Sequence, residues 1–163
     1  MWNIINKQAE ILFDKCTEKN ITVTTAESCT GGMVASSIVS INGSSGIFKS
    51  SIVTYSNSMK SMLLKIPPNI IQINGAVSEQ TAYQMALNVL SIMEADLSIA
   101  VTGIAGPTGG SIDKPVGLIW IAIGTKVEIF KKKYLLNGNR LEIRQKTTFE
   151  SLKFANKIIT DYL

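Results

Sequence analysis

Histidine is absent from this sequence of 163 residues. A chain without histidine can form neither a Ser-His-Asp triad nor a Cys-His dyad, and it cannot build a histidine zinc site. Any nucleophilic chemistry must therefore use another base, and lysine is the main candidate.

Cysteine is scarce, since Cys16 and Cys29 are the only two. Two cysteines are too few for a disulfide framework or a structural zinc site. No apolar run reaches the roughly 18 residues that a membrane-crossing helix needs. The first residues lack the charged segment and cleavage site of a signal peptide. We therefore expect a cytoplasmic protein without membrane partners.

Charged residues are also few, at 17%, and their balance gives a net charge of +4 with a pI near 9.1. The basic residues are dispersed apart from Lys131-Lys132-Lys133, a run that is typical of a solvated strand end. No basic motif rich in aromatic residues is present. The composition therefore favours a small anionic ligand over a nucleic acid partner.

Hydrophobic periodicity predicts alternating helices and strands. The expected helices cover residues 2–19, 33–39, 58–64, 79–94 and 140–162. The expected strands cover residues 21–25, 47–55, 97–101, 117–124 and 127–136. Because the late strands are adjacent while the earlier ones alternate with helices, we predict an α/β fold. It should be a three-layer α/β/α sandwich with a mixed sheet, formed by a single domain over residues 1–163.

The first segment that can carry chemistry is the junction between a predicted strand and a predicted helix at Ser28. Gly31 and Gly32 follow the serine, and the first backbone N–H groups of the next helix are unpaired there. Such donors stabilise an oxyanion or bind a phosphate. The alternative is that Ser28 only caps the helix while the glycines allow the turn.

The second segment joins Tyr55, at the end of a predicted strand, to Lys60 in the next helix. Ligands gather at strand ends in open α/β sheets. A lysine that is desolvated there loses its proton readily and acts as a base. The alternative is an exposed lysine beside a half-buried tyrosine.

The third segment is the glycine-rich stretch over residues 102–110, which fits no regular element. Successive backbone N–H groups of this kind form a concavity that binds anions. The stretch lacks the Gly-Lys-Ser/Thr ending of a P-loop and the spacing of a dinucleotide fingerprint. A long structural turn is the alternative.

Taken together, the motifs of this chain closely resemble the CinA C-terminal domain family of nicotinamide-mononucleotide amidohydrolases. The resemblance spans essentially the whole chain. Its motifs occur in the family's order: Ala26-Glu27-Ser28-Cys29-Thr30-Gly31-Gly32, Gly43-Ser44-Ser45, Tyr55-Ser56-Asn57 with Lys60, Gly75-Ala76-Val77-Ser78, Thr102-Gly103-Ile104-Ala105-Gly106-Pro107 with Gly109-Gly110, Lys114-Pro115-Val116-Gly117, and Asn139-Arg140 with Ile143-Arg144. Larger CinA proteins carry an additional N-terminal domain, so this chain resembles the stand-alone form.

The resemblance implies an activity and a set of catalytic residues. Family members hydrolyse the carboxamide of nicotinamide mononucleotide to nicotinic acid mononucleotide and ammonia, as part of NAD recycling. By motif, Ser28 is expected to be the nucleophile, Lys60 the general base and Tyr55 its helper. Neither a metal nor an organic cofactor is implied.

The expected substrate-binding residues come from the same motifs and leave several alternatives open. These residues are Thr30, Gly31, Gly32, Ser44, Ser45, Asn57, Thr102, Gly103, Ala105, Gly106 and Arg144. For the substrate phosphate, the candidates are the loop at residues 43–45, the segment Gly109-Gly110 and Arg144. Cys29 is an alternative nucleophile, and Glu27 either orients Lys60 or caps the following helix.

An alternative interpretation assigns the same residues to nucleotide binding without catalysis. The glycine-rich segments suit a non-catalytic nucleotide-binding or regulatory module of the CinA type equally well. The coexistence of Ser28, Tyr55 and Lys60 favours the enzyme, because a pure binding module has no use for a serine with a dedicated base. Small α/β enzymes of this kind often self-associate, so we expect a homo-oligomer, and a site completed across subunits stays open.

Overall fold

A mixed sheet forms the centre of the computed structural model, which describes residues 1–163. Its five strands are β1 (Val23–Glu27), β2 (Phe48–Val53), β3 (Leu97–Gly103), β4 (Leu118–Thr125) and β5 (Ile129–Leu135). They lie in the order β2-β1-β3-β4-β5. Strand β1 pairs in parallel with β2 and β3, whereas β4 runs antiparallel to both β3 and β5. The prediction of a mixed sheet is confirmed.

Six helices cover the two faces of this sheet. They are α1 (Trp2–Lys19), α2 (Met33–Val39), α3 (Asn57–Leu64), α4 (Pro68–Asn74), α5 (Glu79–Ile92) and α6 (Arg140–Tyr162). One core joins α1, α2 and α6 to one face, and a second core joins α3, α4 and α5 to the other. The three-layer sandwich is thereby confirmed. None of the helices combines the length and the apolar character that crossing a bilayer requires.

The structure differs from the sequence prediction mainly around residues 43–74. Helix α4 is not part of the sequence prediction, which places no element between residues 64 and 79. Pro68 occupies the first turn of α4, where its missing N–H group costs nothing and its fixed φ suits a helix. The predicted loop at residues 42–46 also contains a short 3₁₀ helix, Ser44–Gly46.

Small residues occupy the middle of the sheet face beneath α5. Ala26, Ala100 and Ala122 are fully buried there. A Cβ atom on the neighbouring Gly124 would press on the Ser98 hydroxyl and lie 3.4 Å from the carbonyl of Ala86 in α5. Small side chains thus allow α5 to lie close against β3 and β4, which fixes the helical layer that carries Lys60.

The connections place a crevice at the carboxyl end of β1. Strand β1 lies between β2 and β3, and all three parallel strands end at the same edge of the sheet. The link from β1 to β2 passes through α2 on one face, whereas the link from β2 to β3 passes through α3, α4 and α5 on the other. Such a change of direction is where open α/β sheets bind ligands.

Helix α6 begins at this same edge and is fixed by a capping box. The Asn139 side chain accepts a hydrogen bond from the Glu142 N–H at 3.0 Å, and the Glu142 carboxylate accepts one from the Asn139 N–H at 2.8 Å. Ile143, which is 1% exposed, anchors the first turn in the core. Arg140 in this turn and Arg144 in the next are therefore held in register with the site.

We expect Asn139→Ala to lower the free energy of unfolding by about 1 kcal/mol, because the Glu142 N–H loses its acceptor. Urea denaturation followed by circular dichroism measures this change. Asn139→Asp, which keeps an acceptor oxygen, is the matched control and should remain close to the original protein. Equal stability of the alanine and aspartate variants would contradict the role of the cap.

Candidate active site

The site centres on a contact between a serine and a buried lysine. Lys60 Nζ lies 3.0 Å from Ser28 Oγ and donates to the Thr54 carbonyl at 2.9 Å. Ser28 follows β1 and Lys60 lies in α3, so the contact joins the sheet edge to one helical layer. The Ser28 N–H donates to the Val101 carbonyl at 3.0 Å, which continues the pairing of β1 with β3 beyond the strand end.

The surroundings of Lys60 favour its neutral form. The side chain is 1% exposed and takes part in no ion pair. Burial lowers the pKa of Lys60 below its usual value of 10.5, against a smaller opposing effect from the Cys29 thiol. A neutral amine has a lone pair that can accept a hydroxyl proton, so the position of Lys60 beside Ser28 and the lowered pKa both suit a base.

Glu27 fixes the turn that follows the nucleophile. Its carboxylate is fully buried and accepts hydrogen bonds from the N–H groups of Gly32, Val34 and Ala35 at 3.0, 3.1 and 2.8 Å. The negative charge thereby caps the amino end of α2, where it is favoured. Of the two roles considered for Glu27, the geometry shows the cap.

The same contacts leave other amides of the turn free. The Gly31 N–H donates to the Ser28 carbonyl at 3.1 Å, and the Gly32 N–H is used by Glu27. The N–H groups of Cys29 and Thr30 donate to no oxygen of the protein. The amide directly after a nucleophile on a strand-to-helix turn is the usual oxyanion donor, and here that amide belongs to Cys29.

The Cys29 thiol differs from Ser28 in both access and ionisation. Its side chain is buried, and burial raises its pKa to about 12. A thiol with that pKa is almost entirely protonated near neutral pH, whereas the thiolate is the nucleophilic form. The geometry therefore favours Ser28, which has the base beside it.

A cavity of about 320 Å³ opens above Ser28 and Lys60. Its only basic lining residues are Lys60 and Arg140, and no acidic side chain lines it. Arg140 donates to the Gly106 carbonyl at 2.7 Å and to the Tyr55 hydroxyl at 2.6 Å. Tyr55 is 63% exposed and is therefore placed at the rim, bonded to Arg140 and to neither Lys60 nor Ser28. This lining suits an anionic ligand of small-molecule size.

The structure brings together some of the residues predicted from sequence and separates others. Those that line the cavity are Ser28, Tyr55, Asn57, Lys60, Thr102, Gly103, Ala105 and Gly106. Thr30, Gly31 and Gly32 lie in the turn at residues 28–32, here called the nucleophile turn after the expected role of Ser28, and they do not line the cavity. Arg144 binds the backbone of this turn and does not line the cavity either. Ser44 and Ser45 lie before β2, at the opposite edge of the sheet.

Arg140 is the functional candidate that sequence reasoning missed. It was quoted within a motif but given no role, while Arg144, one turn later, was named as a phosphate candidate. Helical periodicity places both residues on the same side of α6 and cannot tell which one reaches the cavity. The Asn139 cap directly before Arg140 was the available signal, because it places that arginine at the loop edge.

Comparison with known proteins identifies the family. A family model described as the CinA C-terminal domain matches residues 5–159. The chain belongs to this family. Solved structures of the CinA superfamily agree: the competence/damage inducible protein CihA from Agrobacterium tumefaciens is 36% identical, with a TM-score of 0.94 over 97% of this chain and 96% of that one. A competence damage-inducible protein from Klebsiella pneumoniae is 25% identical, with a TM-score of 0.95 over 98% and 99% of the two chains.

Relatives in sequence are longer proteins of the same family. A competence-damage inducible protein of Caldicellulosiruptor bescii is 41% identical over 94% of this chain and 37% of its own length. A CinA-like protein of Prochlorococcus marinus is 47% identical over 82% of this chain and 32% of its own length. The chain therefore spans about a third of the length of these relatives.

We expect iodoacetamide at pH 8 to leave the folded protein essentially unlabelled, because burial raises the pKa of both Cys16 and Cys29 to about 12. Mass spectrometry of the intact protein measures the number of adducts. Protein unfolded in urea is the control and should take up two. Rapid modification of Cys29 in the folded protein would contradict the assignment of Ser28 as the nucleophile.

Proposed function

We propose that this chain hydrolyses the carboxamide of nicotinamide mononucleotide to nicotinic acid mononucleotide and ammonia, with Ser28 as nucleophile and Lys60 as general base. The observation that carries the proposal is the 3.0 Å contact between Ser28 Oγ and the amine of Lys60, which is 1% exposed. A serine beside a desolvated lysine is a pairing that can perform acyl transfer in a chain without histidine.

Acylation begins when neutral Lys60 takes the Ser28 hydroxyl proton and the serine oxygen bonds to the amide carbon. The carbonyl oxygen becomes an oxyanion, which the free N–H of Cys29 stabilises. One such donor typically lowers the activation barrier by about 3 kcal/mol. Lys60 then returns the proton to the amide nitrogen, the carbon–nitrogen bond breaks, and ammonia leaves an acyl-serine.

Deacylation repeats these steps with water. Lys60 takes a proton from the water as its oxygen bonds to the acyl carbon, and the tetrahedral intermediate is again an oxyanion beside Cys29. The bond to Ser28 Oγ breaks, and Lys60 returns the proton to the serine. The product is the carboxylic acid, which releases its remaining proton to water to give the carboxylate. The enzyme returns to its original form, with Lys60 neutral for the next cycle.

The substrate phosphate is proposed to bind at the rim formed by Arg140 and Tyr55. Arg140 is the only basic residue of the cavity besides Lys60, and a guanidinium suits a phosphate because it presents paired donors. The Tyr55 hydroxyl accepts from Arg140, so its own hydrogen remains available to a second anionic oxygen. In this proposal Tyr55 serves binding, and Lys60 carries the protons.

We expect the purified protein to release ammonia from nicotinamide mononucleotide, and Ser28→Ala and Lys60→Met to reduce kcat by about 10³-fold or more, because each removes one member of the reacting pair. Coupled ammonia detection measures the rate. Cys29→Ala is the matched control and should retain most of the turnover. Tight binding of the nucleotide without turnover by the unmodified protein would favour a regulatory binding module instead.

Turnover should rise with pH while Lys60 loses its proton and should level off below pH 10.5, because burial holds the pKa of this lysine under that usual value. The measurement is kcat/KM against pH, with circular dichroism confirming the fold at each point. A rate that still increases steadily above pH 10.5 would show that Lys60 titrates as an ordinary exposed lysine.

A further inference from the structure

Arg144 contacts the nucleophile turn from the side opposite to Lys60. Its Nε donates to the Cys29 carbonyl at 3.1 Å, and its Nη2 donates to the Thr30 carbonyl at 2.7 Å. The guanidinium thus holds two consecutive peptide groups with two donors in a fixed plane. Gly31, the next residue, has a φ of +59°, a left-handed conformation that favours glycine and lets the turn form.

These contacts determine where an amide of the turn points. In a trans peptide the C=O and N–H bonds point in opposite directions. The Cys29 carbonyl shares its peptide plane with the Thr30 N–H, so a guanidinium on that carbonyl directs the Thr30 N–H away from α6. That N–H is one of the two free amides of the turn.

The remaining groups of the turn are fixed from the other side. Glu27 holds the N–H groups of Gly32, Val34 and Ala35, and so fixes the turn where it enters α2. Arg144 holds the carbonyls that precede this point. Glu27 therefore binds backbone N–H groups of the turn, and Arg144 binds backbone carbonyls. The N–H groups of Cys29 and Thr30 remain without a partner in the protein.

We infer that Arg144 is a positioning residue, which holds the turn that presents the Cys29 amide to the oxyanion and does not bind the substrate phosphate. This inference rests on the proposed function, because it assigns a task within the same acyl transfer. It also separates the two arginines of the first turns of α6: Arg140 affects substrate binding, whereas Arg144 affects the chemical step.

The test compares Arg144→Met with Arg140→Met in two assays. The first measures kcat and KM for nicotinamide mononucleotide. The second measures the rate at which an alkyl fluorophosphonate, which carries no nucleotide, labels Ser28. In the labelling step phosphorus bonds to Ser28 Oγ, fluoride leaves, the hydroxyl proton passes to Lys60, and the phosphoryl oxygen takes the place of the oxyanion.

We expect Arg144→Met to lower kcat and the labelling rate by about 10- to 100-fold, with KM changed by about twofold or less. Arg140→Met should raise KM by about tenfold or more and leave labelling nearly unchanged. Arg144→Lys keeps the charge and the stem but not the fork, so it tests the geometry if the methionine variant is poorly folded. Its labelling rate should also fall, whereas Lys153→Met on the exposed face of α6 should change nothing.

A raised KM for Arg144→Met with unchanged labelling would overturn the inference and make Arg144 a phosphate ligand. Labelling of Arg144→Lys at the original rate would overturn it as well. If the unmodified protein labels at Ser28 but does not release ammonia from nicotinamide mononucleotide, the proposed substrate is wrong. The labelling rates of the variants then decide the role of Arg144 by themselves.

Discussion

Burial of the Lys60 amine against Ser28 is the constraint on which the carboxyl edge of the sheet depends. An ammonium ion loses several kcal/mol of hydration when it is buried, and Lys60 has no carboxylate partner to offset that loss. The neutral amine avoids most of the penalty, and the Thr54 carbonyl gives it a defined orientation. Burial therefore favours the neutral amine of Lys60, which is the form that accepts a proton.

Two charged side chains near this amine are already engaged by hydrogen bonds to the backbone. Glu27 binds backbone donors and Arg144 binds backbone acceptors, so neither charge is free to pair with the base or with a ligand. Arg140, exposed at the cavity, is the cation that remains available. In the proposed function, a negative substrate meets Arg140 at the rim before it reaches Ser28 and the buried Lys60.

Much of the architecture could be predicted from the sequence because it depends on local rules. The β-branched run before Ser28 and the apolar spacing in α1 indicate their elements directly, and the adjacent late strands indicate a mixed sheet. Helix α4 was missed because a proline ends one helix and begins the next equally well. At the site, motif order suggested Ser28 and Lys60 as partners. The separate tasks of Arg140 and Arg144 depend on how α6 is rotated against the turn, and that rotation is set by long-range packing.

The small-residue face beneath α5 has a consequence for how the site responds to disturbance. Lys60 belongs to the helical layer on that face, whereas α2 and Arg144 belong to the opposite layer, and the sheet is what connects them. A displacement of either layer by about 1 Å would separate Lys60 from Ser28, or Arg144 from the turn at residues 28–32. Most of the core contacts would persist. The proposed activity should therefore depend strongly on the alignment of the two helical layers. A disturbance too small to unfold the protein would already abolish it.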